Sequence, residues 1–387
     1  MKKLLALSLL LSMPAAGAYG GYILFQTLPS MVGSSITPLY PLLISGTYAQ
    51  FATVANGGKV VNTVPCGVSS IVCPADLVFM RDSSCSTPYT GWEIIAYSPT
   101  SGKLSAIVQI PALSNVTPVK VYGCVGNSAV STFQGGSRGS AYDNNYLLAL
   151  HMEETSGTIL HDSTANGNNA VKKGSLNPAP SLSGQVGAAQ SFLGTANSVN
   201  NDYALFNSLT AASSTWTIEY WLNAASFINV DSVFIESSSG APSIFFGFYW
   251  YPPPSNIRYF NSYSSASPGP PAEIGTGVYH NITYVRNGDS MNVYLDGVAG
   301  TPAAGFGSGT DGFKGLGWDG TPGGTNTFNG LVDEVSVSNT ARSADYITAR
   351  FNNLKSPSTF YTVGSYSVSI PTPRSTTRDN SQIRLLF

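Results

Sequence analysis

The chain has 387 residues, with Lys+Arg 18 against Asp+Glu 20, a formal net charge of −2, and only 10% of its residues charged. That balance has nothing with which to neutralise a phosphate backbone, which excludes nucleic acid as the expected partner. The 40 Gly and 24 Pro, with abundant Ser, Thr and Asn, exclude long helices and coiled coils and suit short strands joined by frequent turns.

Lys2 and Lys3 precede an apolar stretch from Leu4 to Leu11, and Pro14 through Ala18 closes it with mostly small residues. Ala16 and Ala18 stand where a signal peptidase would read, so residues 1–18 are expected to be an export signal. An uncleaved signal-anchor is the alternative. Export predicts an extracellular or cell-surface location and permits disulfides. Cys66, Cys73, Cys85 and Cys124 all fall in the first third of the chain. Of their three possible pairings, the preferred one joins Cys66 to Cys73 across a local loop and Cys85 in a turn to Cys124 at a strand end. Zinc competes poorly, because His151, His161 and His280 lie elsewhere and the cysteine spacing is not that of a metal knuckle.

From 19 to 137 the pattern is short apolar strands, at Leu42–Ile44, Leu77–Met80, Trp92–Tyr97, Leu104–Ile110 and Val119–Val125, separated by turns at Asn56-Gly-Gly58 and Pro99-Thr-Ser-Gly102. They predict a small all-β domain. Gln134-Gly-Gly-Ser-Arg-Gly-Ser140 reads as a flexible boundary. A second domain is expected over 144–363, with strands at Tyr146–His151, Gln190–Phe192, Trp216–Leu222, Ser232–Glu236, Ile244–Tyr249, Asn256–Phe260, His280–Arg286, Met291–Leu295, Gly315–Gly317 and Asn329–Val337. Alternation places Trp216, Ile218, Tyr220 and Leu222 on one side and Thr217, Glu219 and Trp221 on an amphipathic outer side. In the run Gly330–Ser343 it puts Val332, Glu334 and Ser336 opposite Leu331, Asp333, Val335 and Val337. Ile347 and Phe351, one helical turn apart, predict a short surface helix that Ser343 would cap. Residues 364–387 read as an extended tail able to pair with a neighbour.

Two segments offer binding chemistry. Asp162, Asn166 and Asn168 share a glycine-containing loop and can present oxygens to Ca2+, which needs six to eight ligands and therefore a distant carboxylate such as Asp333. An Asx-turn hairpin that caps its own backbone is the other reading. Phe245–Pro254 and the residues after it are rich in rings. There Trp250, Tyr251 and Tyr259 would form a stacking platform for pyranose rings, and Asn256, Arg258 and Asn261 would bond the hydroxyls. Core packing of those rings is the competing reading.

Catalysis has little support. Glu153 and Glu154 are adjacent and point apart on a strand, and Glu219 and Glu334 do not sit in an alternating acidic run, so a glycoside hydrolase is the lesser alternative. There is no Gly-x-Ser-x-Gly elbow, and the three histidines read as packing or surface groups.

The order of motifs resembles a known bacterial arrangement. Tyr40–Tyr48, Ala55–Lys59, Asp76–Phe79, Trp92–Tyr97 and Val121–Asn127 resemble a domain of unknown function in exported bacterial proteins, found directly before a laminin-G-like, concanavalin-A-like domain. Leu147–Gly157, Asp162–Asn169, Ala189–Phe192, Trp216–Trp221, Tyr279–Tyr284, Val293–Gly297 and Leu331–Ala341 resemble that second domain. The resemblance implies an all-β protein, a small β-sandwich-like domain followed by a concanavalin-A-like jelly-roll, with calcium often held near a loop like that of Asp162. The expected function is non-catalytic, adhesin-like or lectin-like recognition of a glycan or cell-surface component. The alternative is a self-assembling subunit of a filament, surface layer or viral particle.

Overall fold

The structure is a computed structural model that describes residues 19–34, 39–66, 71–174, 178–194, 202–211, 214–226, 230–236, 245–249, 268–269, 271–272, 274–307, 312–317 and 327–368. The expected export signal, the strand Asn256–Phe260 and most of the tail lie outside the described residues. The protein is all-β, a small β-rich unit followed by a jelly-roll.

In the first unit the strand Gly21–Thr27 alternates buried and half-buried residues along its whole length, pairing antiparallel with Lys120–Val125, which in turn pairs with Val78–Met80. A second sheet runs Tyr40–Thr47, Lys103–Ile110, Trp92–Tyr97. Its strands bury both faces, so they read as near-continuous apolar runs rather than alternating ones. Ile44, Ala106 and Ile94 face the unit's own core, while Leu43, Ile107 and Ile95 face the jelly-roll. Disulfides join Cys66 to Cys73 across the hairpin Thr63–Cys66/Ile71–Pro74 and Cys85 to Cys124, with Cα–Cα distances of 5.8 and 6.1 Å. This is the preferred pairing.

Among the described residues the jelly-roll has a nine-stranded and a six-stranded antiparallel sheet. In the larger sheet Gly330–Ser338 pairs with Thr215–Ala224, which pairs with His280–Asn287 and then Ser290–Leu295. The smaller sheet runs Ile159–Leu160, Ala170–Lys173, Tyr203–Thr210, Gly312–Leu316, Val230–Glu236, Phe245–Tyr249. Trp216, Ile218, Tyr220 and Leu222 enter the core between the sheets, as alternation predicts, beside Tyr284, Val293 and Phe313.

Four expectations need correction. The amphipathic outer side of Thr215–Ala224 is not open to water: the helix Ala344–Lys355 lies on it, Phe351 stacking on Trp221 with centroids 5.6 Å apart and planes at 13°. That helix is capped by Ser343, whose side chain accepts from the Tyr346 N–H at 3.2 Å, but it is no surface helix, since Tyr346 and Ala349 pack into the first unit, Phe351 and Leu354 between the units, and Ile347 against Val285 and Tyr294. Residue 363 does not separate jelly-roll from tail. Tyr361–Val363 and Ser367–Val368 return to pair with Gly21–Thr27, so the chain's last described strands complete the first unit's sheet. Finally, Gln134–Ser140 is docked: Arg138 donates from Nε to the Asp162 carbonyl at 2.9 Å, and at Gly139 (φ 85) a Cβ would collide with Ala165.

Candidate functional site between the two units

The strand Gly330–Ser338 carries the feature that builds the site. Its register against Thr215–Ala224 shifts between Glu219 and Trp221, so one extra residue is accommodated there, and Glu334 takes a left-handed backbone with φ 47. A β-bulge of this kind breaks alternation and re-aims a side chain. Val332, Val335 and Val337 therefore all reach the core, and Glu334 does not share a face with Val332 as strict alternation requires. The Glu334 carboxylate instead meets His151, Nδ1 to Oε1 at 2.8 Å. Met152, next to His151, also has a positive φ of 59. Two non-glycine residues held this way, at roughly 1–3 kcal/mol each, mark a place whose geometry the surrounding packing imposes.

His151 Nε2 lies 2.9 Å from Glu93 Oε1, and Glu93 comes from the other unit, on the strand Trp92–Tyr97. Burial works against a charge on His151, but the carboxylates of Glu334 and Glu93 outweigh it and hold the imidazolium well above the usual histidine range. Burial likewise pushes Glu93 up, yet the His151 charge and hydrogen bonds from His151, Tyr142 and Ser163 hold its carboxyl below the usual carboxylate range. His151 is thus a charged link between the units, not a packing group. Sequence separations of 58 and 183 residues to its two carboxylates left no local signal for it.

Two partly open cavities lie between the units. One, of about 300 Å³, is lined by Trp92, Glu93 and Phe133 of the first unit, the docked linker from Gly136 to Ala141, and His161 and Ser163. The Trp92 indole Nε1 is buried without a hydrogen-bond partner among the described residues. Its ring meets Phe133 edge-on, with centroids 6.4 Å apart. The other cavity, of about 540 Å³, has an apolar wall that includes Val72, Ile95 and Tyr97 and a polar wall of Glu153, Glu154 and His161. His161 borders both. Glu153 is raised to about 7, chiefly by burial, against the pull of the Ala188 N–H that it accepts at 2.9 Å. Gly187 makes room for that contact, since a Cβ there would overlap Glu153 Oε1.

The residues singled out from sequence fall elsewhere. Trp250, Tyr251, Asn256, Arg258 and Tyr259 lie outside the described residues. Asp162 is buried, and its carboxylate accepts from the N–H groups of Ala149, Thr164 and Asn168 and from the Thr164 hydroxyl, at 2.7–3.0 Å. Asn166 and Asn168 donate their amides to the carbonyls of Tyr146 and Leu147 at 2.8 Å. Asp333 bonds instead to the N–H groups of Val186 and Glu334, and burial beside the Glu334 charge pushes its carboxyl well above the usual range. Among the described residues these four do not converge, and no cluster of three or more His, Cys, Asp or Glu is arranged to hold a metal. A carboxylate already saturated by N–H and O–H donors does not fit a calcium ligand set; the geometry is that of the self-capped turn.

Glu219 and Glu334 do not form a pair across a cleft either. Glu219 lies 3.6 Å from the Arg350 guanidinium and Glu334 is held by His151, and neither lines either cavity. Asn281, part of an Asn-Ile-Thr glycosylation motif, is buried and bonded to Glu219.

With this geometry in view, residues 197–348 match the model of the concanavalin A-like lectin/glucanases superfamily. The second unit is a laminin-G-like jelly-roll. The match stops short of the first unit, and no curated protein matches the chain. Among solved structures, the chain is similar to domain 4 of AbnA, an extracellular arabinanase of Geobacillus stearothermophilus solved with arabinotriose, at 16% identity and a TM-score of 0.42, covering 53% of this chain and 97% of that one. It is also similar to the SAP-like pentraxin of Limulus polyphemus (16% identity, TM-score 0.32, 41% of this chain and 78% of that one) and to a Trypanosoma rangeli sialidase with the inhibitor DANA (13%, 0.38, 67% and 43%). At these identities and scores the likenesses assign this chain no ligand.

Proposed function

We propose that this protein recognises a glycan outside the cell without catalysis, and that it does so in the cleft between its two units. The observation that carries the reading is the smaller cavity. A space of about 300 Å³ with the rings of Trp92 and Phe133 at its edge and several serines in its lining offers what a sugar ring needs, an apolar surface for its C–H face and donors and acceptors for its hydroxyls. The superfamily of the jelly-roll, whose name joins lectins and glucanases, supports carbohydrate as the ligand class. The two disulfides support a working place outside the cytosol. Glu93 and Glu334 are held by His151 and Glu219 by Arg350, which favours binding over hydrolysis.

The test is a glycan array probed with the intact protein and with Phe133→Ala, which trims the half-buried ring at the cavity edge. The reading expects a restricted set of bound glycans, each weakened about tenfold or more in the variant with its fold retained. Binding untouched by Phe133→Ala would place recognition elsewhere.

A further inference from the structure

The larger cavity has an asymmetry that the smaller one lacks. Its first-unit wall is apolar, with Val72, Ile95 and Tyr97, and its jelly-roll wall is acidic, with the consecutive carboxylates of Glu153 and Glu154. Glu154 Oε1 accepts from the backbone N–H of His161 at 2.8 Å, with the His161 ring nitrogen 3.2 Å away. Glu154 Oε2 is buried with no hydrogen-bond partner among the described residues, on a side chain only 8% exposed. An anionic oxygen withdrawn from water without a donor is costly, so the site is short of one donor, best supplied with a positive charge. Lys172 is close enough for its charge to interact with Glu154, but its ammonium donates its hydrogen bond to Gln190 Oε1 at 2.5 Å.

We infer that this cavity takes an amine-bearing saccharide, its ammonium against Glu154 and its apolar ring face against the wall of Val72, Ile95 and Tyr97. The inference rests on the reading of the cleft as a glycan site and names the sugar class. A free amino group supplies the missing donor and adds to the positive charge facing Glu154, with Glu153 as a second acceptor. The N-acetylated form of the same sugar carries neither the charge nor the compactness and forfeits that contact. A charge-assisted hydrogen bond to a carboxylate only 8% exposed corresponds to a preference of about tenfold or more for the free amine.

Calorimetric titration of the full chain with three trisaccharides decides the matter: one of glucosamine, its fully N-acetylated counterpart, and a neutral glucose trisaccharide. The expected result is at least about tenfold tighter binding of the glucosamine form, with the preference abolished in Glu154→Gln and reduced in Glu153→Gln. Equal affinity for all three, lost in Phe133→Ala, would overturn the amine preference while leaving glycan binding in the cleft intact. Failure of the glucosamine form to bind at all would overturn it too; a silent glycan array would then show that the broader reading had failed with it. If Glu154→Gln does not fold, Glu153→Gln carries the comparison, and an unchanged preference there overturns the inference.

Discussion

Asn353 bonds both backbone groups of Leu43, its Oδ1 accepting the Leu43 N–H at 2.8 Å and its Nδ2 donating to the Leu43 carbonyl at 3.0 Å. The side chain of a helix thus stands in for a neighbouring strand on the edge of Tyr40–Thr47. The substitution is repeated along that edge: Arg350 donates to the Pro41 carbonyl at 3.1 Å, and the Tyr361 hydroxyl accepts the Ser45 N–H at 2.9 Å. Positions 41, 43 and 45 point the same way on a strand, so three side chains following the jelly-roll satisfy an edge that would otherwise invite another chain. Asn353→Ala leaves a buried donor and acceptor unmet and should cost about 2–4 kcal/mol. Urea denaturation checks this, and a cost below about 1 kcal/mol would mean that water replaces the amide.

Arg342 closes the jelly-roll where its chain enters and leaves. Its guanidinium bonds Asp143 in two places at 2.8 and 3.0 Å, and lies 4.8 and 4.7 Å from the ring centroids of Tyr146 and Tyr346. Arg342→Ala strands the Asp143 carboxylate in a buried site, and a loss of about 3–5 kcal/mol is expected. Asp143→Asn in the same background should recover part of it, a recovery that thermal melts of the single and double variants would show.

Stability should peak in mildly acidic solution. Glu93, held below its ordinary range, contributes stability that is present above the unfolded carboxylate value and lost as pH falls through its folded one. His151, held well above its ordinary range, contributes stability that is complete below about pH 6.5 and lost as pH rises toward its folded value. Glu153, raised to about 7, binds its proton more tightly folded than unfolded, so stability also declines between the usual carboxylate value and about 7. The Glu153 share is up to about 3 kcal/mol, less whatever water reaches the carboxyl. Melting temperatures from pH 4 to 9 should flatten between 5 and 7 in Glu153→Gln; an unchanged slope would remove Glu153 from this account.

Ending the chain at residue 360 removes the strands that pair with Gly21–Thr27 and the buried ring of Tyr361, which meets Phe25 edge-on at 5.6 Å. The first unit should then lose stability, and hydrogen exchange at Ile23 and Phe25 should accelerate about tenfold or more. Unchanged protection there would make the returning strands dispensable.

The sequence revealed what local periodicity encodes. The core face of Thr215–Ala224 and the Ser343 cap were legible because each depends on neighbours a few residues apart, whereas for the disulfides the sequence offered only a preference among three pairings. The bulge at Glu334 was not, since a strand with one extra residue reads as plain alternation until its partner is known. Trp221 and Glu219 looked like an outer side because the helix that covers them lies more than a hundred residues away. The cleft was invisible for the same reason: Glu93, His151 and Glu334 belong to three separate strands or strand ends, and only the docking of two sheets brings them together.

The Trp92 indole gives the most direct view of the cleft. Its side chain lines the smaller cavity, its N–H lacks a partner among the described residues, and it is one of only 5 tryptophan indoles in the chain, so its nitrogen–proton resonance can be followed singly. Titration with a glycan that the protein binds should shift the Trp92 indole signal in step with saturation. Saturable binding that leaves the signal in place would contradict recognition in the cleft.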